Sequence, residues 1–150
     1  DRHRQAPALP AQAVTREGLL THRTLQPEGW PRPRGYSNGI SASGRIISVA
    51  GQIGWDESGK LVGEDIVSQS RQALRNIVTV LATDGAMPEH LVRLTWYVTS
   101  RAAYRAAAIP LGVAYRQVLG KHYPAMTAVE VSSLMEAGAL VEIEATAIVP

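Results

Sequence analysis

The chain has 150 residues, 45% of them apolar and 19% charged, enough for one compact core and too apolar for a disordered chain. It has no cysteine, which excludes a disulfide framework and a thiolate metal site and fits a reducing, cytoplasmic setting. The net charge of +2 is unevenly placed: residues 1–34 hold six Arg against three acids, residues 35–150 nine Lys or Arg against ten acids, so no basic face is expected and nucleic acid is not an expected partner.

Residues 1–20, rich in Ala, Pro and Gln, read as a flexible leader, and residues 21–150 as a single domain. No apolar run approaches the ~20 residues that span a bilayer, so no membrane segment is expected. Residues 21–25 read as a short first strand. Pro27, Gly29, Pro31, Pro33 and Gly35 then enforce an irregular, extended connection. Residues 38–42 and 45–51 read as two strands joined at Ser43-Gly44 in a β-hairpin. A second turn follows over residues 56–60. Asp65 is the expected N-cap of a long helix with Ile66, Ala73, Leu74, Ile77, Val80 and Leu81 on one face and Gly85 as its stop.

Pro88 opens a turn, and the β-branched and aromatic run over residues 91–99 reads as a strand. Residues 102–119 are helical in pattern, with a break at Pro110 or a restart that uses Pro110 in its first turn, and with Gly120 as the end. Residues 126–131 and 140–149 alternate apolar with polar side chains, as half-buried strands do. The elements sum to an α+β fold: a two-layer sandwich in which two helices cover one face of a mixed sheet.

Chemistry-bearing motifs are sparse. His3, His22, His90 and His122 lack metal-ligand spacing, no Gly-rich loop joins a strand to a helix, and no nucleophile elbow is present, so neither a metal nor a cofactor is expected. Glu142 and Glu144, two apart, share one face of a strand. On their own they read as solvated carboxylates or as members of a pocket. Arg34, Arg93 and Arg116 read as solvent-facing or as a cation near a ligand, and Trp30 as a lid or an interface anchor.

Six blocks carry a resemblance. They are Tyr36-Ser37-Asn38-Gly39, Val49-Ala50-Gly51-Gln52-Ile53, Gln69-Ser70-Arg71-Gln72-Ala73-Leu74-Arg75-Asn76-Ile77, Leu94-Thr95-Trp96-Tyr97-Val98-Thr99, Pro124-Ala125-Met126-Thr127-Ala128-Val129-Glu130-Val131, and Val141-Glu142-Ile143-Glu144-Ala145-Thr146-Ala147. In order and spacing they resemble the G-P-Y-S-Q-A, V-S-G-Q-I, Q-T-R-Q-A-L-E-N-L, T-T-V-F-L-T, P-A-R-S-T-V-E-V and V-E-I-E-A-I-A blocks of the RidA/YjgF family of imine and enamine deaminases. The resemblance implies a chorismate-mutase-like fold and a homotrimer with pockets between subunits. It also implies a small-molecule ligand, and catalysis in which 2-imino or 2-enamino acids are hydrolysed to 2-oxo acids and ammonia. Carried over by position, Gly51 offers a backbone contact, Glu142 positions the attacking water and Tyr36 closes the pocket.

One position departs from the family pattern: Met126 stands where the family has the arginine that clamps the substrate carboxylate. A thioether cannot form the paired charge-assisted bonds of a guanidinium. The chain thus reads as an arginine-lacking subgroup whose ligand is less acidic, with Trp96, Tyr97 and Gly54-Trp55 making the cavity more aromatic. A non-catalytic, ligand-binding trimer is the other reading. A ribonuclease or translation inhibitor, labels also attached to the family, has little residue support.

Overall fold

In the computed structural model, which describes residues 22–150, the chain runs β1 (Arg23–Leu25), β2 (Gly39–Ser41), β3 (Arg45–Gln52), α1 (Ile66–Ala82), β4 (Leu91–Val98), α2 (Arg101–Ala106), α3 (Ala108–Leu119), β5 (Ala125–Glu130) and β6 (Val141–Val149). A 3-10 turn, Pro88–His90, precedes β4. The leader expected over residues 1–20 lies outside the described residues.

Alternation fixes the central strand. Val141, Ile143, Ala145 and Ala147 are buried, while Glu142, Glu144 and Thr146 between them face the other way. The strand order is β3-β6-β4-β5. β6 runs antiparallel to both of its neighbours, and β4 and β5 are parallel, so the sheet is mixed. The buried face takes α1 through Leu74, Ile77 and Leu81, and α3 through Tyr115 and Leu119, against Leu94, Trp96, Ile143 and Ala145. Each fully buried Leu or Ile side chain contributes roughly 1.5–3 kcal/mol. The opposite face of the sheet is open among the described residues, with Ile46 67% and Val129 41% exposed.

Asp65 caps α1 as its sequence predicts, accepting the Ser68 backbone N–H at 2.9 Å. Its carboxyl is held below the ordinary value of 3.8, first by the Ser68 side chain and then by the Ser68 backbone. Asp65→Ala is expected to lower stability by about 1 kcal/mol, read as a lower urea midpoint. Because the folded carboxyl is the stronger acid, the cap is fully effective above the ordinary carboxylate range and is lost as pH falls through the folded value below 3.8. The gap between wild type and variant therefore closes in acid.

Two expectations are corrected. The hairpin over residues 38–51 does not form: β2 pairs with β1 in a separate two-stranded sheet, and β3 pairs with β6. Gly44 is the reason. It has φ +144, and a Cβ there would collide with the Val149 carbonyl, so the chain passes hard against the end of β6 and starts the Arg45↔Val149 register at once. The second correction is the number of α-helices, which is three among the described residues. The helical stretch over residues 102–119 breaks at Ala107, which ends α2 and starts α3. Pro110 sits in the first turn of α3, where its missing N–H costs nothing, and that is the restart the sequence predicts.

Candidate functional site

A loop stitched to an edge strand builds one wall of a cavity that holds several of the predicted residues. Ser37 donates its backbone N–H to the Pro124 carbonyl at 3.0 Å and its hydroxyl to the Tyr123 carbonyl. It also bridges in parallel to Ala125 at the start of β5. Tyr36 and Met126 thereby line one cavity of about 520 Å³, between β4 and β5 on one side and α2 and α3 on the other. That volume suits a small organic ligand.

The remaining walls are aromatic and apolar. Trp96, 5% exposed, contributes its indole from β4 and meets Tyr104 of α2 edge-to-face at 6.1 Å. Tyr115 of α3 stacks on Tyr123 at 5.4 Å and donates its hydroxyl to the His122 carbonyl at 2.6 Å. Burial pushes the phenols of Tyr104 and Tyr115 above their ordinary range, so they stay neutral at physiological pH. Arg34 and Arg116 line the cavity, and no carboxylate among the described residues does.

The other two predicted residues lie elsewhere on the chain. Glu142 pairs with Tyr97 across β6 and β4, whereas the cavity residue Trp96 pairs with buried Ile143. Glu142 therefore points to the open face of the sheet and away from the cavity of its own chain. Gly51 is next to it: a Cβ at Gly51 would collide with the Glu142 carboxylate. The Glu142 side chain has no hydrogen-bond partner among the described residues, while Glu144 accepts the Tyr97 hydroxyl at 2.8 Å. That bond holds the Tyr97 phenol above its ordinary range. One chain thus brings together Tyr36, Trp96 and Met126, and separately Gly51 and Glu142.

Several aromatic expectations change. Tyr97 lies on the open face. Trp55 does not line the cavity; the Asn76 amide donates to its carbonyl at 2.9 Å. Gly54 packs against α1, where a Cβ would come within 2.5 Å of the Gln69 Cα. Arg93 joins Glu144 and Thr146 on the open face, and Trp30 is 60% exposed away from the cavity. The sequence reading missed Tyr104, Tyr115 and Tyr123, which look like ordinary helix and turn residues. Their signal is spacing: Tyr104, Leu111 and Tyr115 fall on the sheet-facing side of α2 and α3. Among the described residues no group of three His, Asp or Glu side chains is placed to hold a metal ion, and no helix is long and apolar enough to cross a membrane.

Residues 31–149 match the family model described as Endoribonuclease L-PSP. A RutC family protein of Pyrococcus horikoshii is 36% identical over 122 residues, covering 80% of this chain and 92% of that protein. Human 2-iminobutanoate/2-iminopropanoate deaminase is 31% identical over 114 residues, covering 75% of this chain and 79% of the human protein. Among solved structures, a conserved Rid family protein of unknown function from Yersinia pestis superposes with a TM-score of 0.74 at 35% identity, covering 87% of this chain and 100% of that one. A YjgF/YER057c/UK114 family member from Mycobacterium tuberculosis has a TM-score of 0.59 at 38% identity, over 77% of this chain and 87% of its own.

Proposed function

Because the chain belongs to the endoribonuclease L-PSP family, which includes relatives named 2-iminobutanoate/2-iminopropanoate deaminase, we propose that it hydrolyses the C=N bond of a small imine or enamine in a cavity shared between subunits of a homotrimer. The observation that carries this reading is the division of the predicted residues. Tyr36, Trp96 and Met126 line the cavity, and Gly51 and Glu142 lie together on a sheet face that no described helix covers. Packing the open face of one copy near the cavity of another unites the two sets.

In that assembly the Gly51 backbone orients the ligand and Glu142 holds the water. The water oxygen bonds to the imine carbon as Glu142 takes its proton. That proton passes to nitrogen to give a carbinolamine; its hydroxyl then gives its own proton to nitrogen, through Glu142, as the C=O bond forms and the C–N bond breaks, so that ammonia leaves a carbonyl product. Met126 offers an apolar contact where the family pattern has an arginine, so the ligand is not gripped by a carboxylate at that strand. A non-catalytic binding trimer is the second reading, favoured by the same Met126 and aromatic walls.

A panel of imines generated in solution, with and without a carboxylate on the imine carbon, separates the readings through ammonia release. Wild type is expected to accelerate imines with an apolar group there. Met126→Arg is expected to shift preference toward 2-imino acids by at least about tenfold in kcat/KM, since a bidentate ion pair in a partly buried site is worth ~2–5 kcal/mol. If wild type accelerates none while Met126→Arg acts on 2-imino acids, the natural protein is a binder.

A further inference from the structure

Within the cavity already described, and resting on its being the ligand site, we propose a specific ligand class: an aryl carboxylate, held by Arg116 and Arg34 at the mouth and by Trp96, Tyr104 and Tyr115 around the ring. The charge of the cavity leads there. Among the described residues its lining holds two arginines and no acid, and its buried tyrosines are neutral. The one ion pair among the described residues joins Arg45 to Asp84, so neither cavity arginine is neutralised by a described carboxylate. A cationic rim over an aromatic floor selects an anion with a flat apolar body.

Arg116 is placed for this role by its own helix. Its guanidinium lies back along α3 over Gly112, one turn earlier, where a Cβ would come within 3.2 Å of Arg116 Nη1. Long helical side chains point toward the N-terminus of the helix, and a residue without a side chain at position 112 lets this fork lie flat on the helix surface beside the cavity. Arg34 reaches the same cavity from the loop that Ser37 pins to β5. The expectation of a less acidic ligand, drawn from Met126 alone, is thereby modified. The cation lost from the strand is replaced by two on the helix and loop, so the carboxylate sits at a different point on the ligand.

The test is calorimetric titration of the full chain with phenylacetate, with its neutral analogue phenylacetamide, and with acetate. Wild type is expected to bind phenylacetate about tenfold more tightly than phenylacetamide and to show no heat with acetate. Arg116→Gln is expected to bring phenylacetate down to the level of the amide while leaving the amide unchanged, a split that general damage to the fold would not give. Added salt weakens the acid and spares the amide. Equal binding of acid and amide by wild type, equal loss of both in Arg116→Gln, or binding of neither overturns the proposal.

Ammonia release is followed on the same preparations. Turnover of neutral imines with no charge preference in binding removes the aryl carboxylate and keeps deamination. Charge-selective binding of phenylacetate without turnover of any imine supports the ligand class and removes deamination.

Discussion

Glu142→Gln is expected to lower ammonia release by about a hundredfold or more, the usual worth of a positioned general base, with the oligomer unchanged by sedimentation. The substitution keeps the shape of the side chain and its hydrogen-bonding reach but cannot accept the water proton. The geometry singles out this carboxylate over its neighbour. Glu144 is engaged by the Tyr97 hydroxyl at 2.8 Å, whereas Glu142 has no partner among the described residues and fills the space that the missing side chain of Gly51 leaves. Glu144→Gln is the control and is expected to change kcat by less than about threefold. An unchanged rate in Glu142→Gln would take that residue out of the mechanism.

The largest effect on stability is expected at Gln69. This side chain is fully buried at 0% exposure. Its amide donates to the Gly63 carbonyl at 2.9 Å and the Gly138 carbonyl at 3.0 Å, and accepts the Leu140 N–H at 2.8 Å. One side chain of α1 thereby satisfies three backbone groups from two loops, one of which leads into β6. Gln69→Ala removes the partner of all three, at Gly63 and Leu140, which are half-buried, and at Gly138, which is exposed. At roughly 1–3 kcal/mol for each group that stays buried, softened where water reaches the exposed loop, the loss should be about 2–4 kcal/mol, a large share of the ~5–15 kcal/mol that holds a typical domain folded. Equilibrium denaturation measures it, and a loss below about 1 kcal/mol would mean that water or a shifted loop replaces the amide.

What could be read from the sequence was mostly local. Asp65, Pro110 and Gly120 act within a turn of where they stand, and the alternation of residues 141–149 reports a strand with one buried face whatever its partners. Pairing is not local. Ser43-Gly44 looks like a hairpin turn until the end of β6 is placed against it. The cavity was half legible for a similar reason. Tyr36, Trp96 and Met126 could be taken from the resemblance, and all three line it. Tyr104, Tyr115 and Tyr123 carry only the marks of helix and turn residues, and Arg116 is oriented by the absence of an atom at Gly112. Tyr97 and Trp96 are adjacent in sequence, so assigning both to one cavity was at odds with the two-residue period of a strand.

The position of β6 has a consequence for how the chain comes to be folded. It is the last of the described strands in chain order, yet it lies in the middle of the sheet, between β3 and β4. Until it leaves the ribosome, β3 has no partner in the four-stranded sheet and the inner faces of the helices have half a sheet to rest on. The nascent chain must carry exposed strand edges until that point, and closure waits on pairings between distant parts of the sequence, the kind that form slowly. Glu142 arrives with that final strand, so a chain with β6 unplaced has no Glu142 beside Gly51.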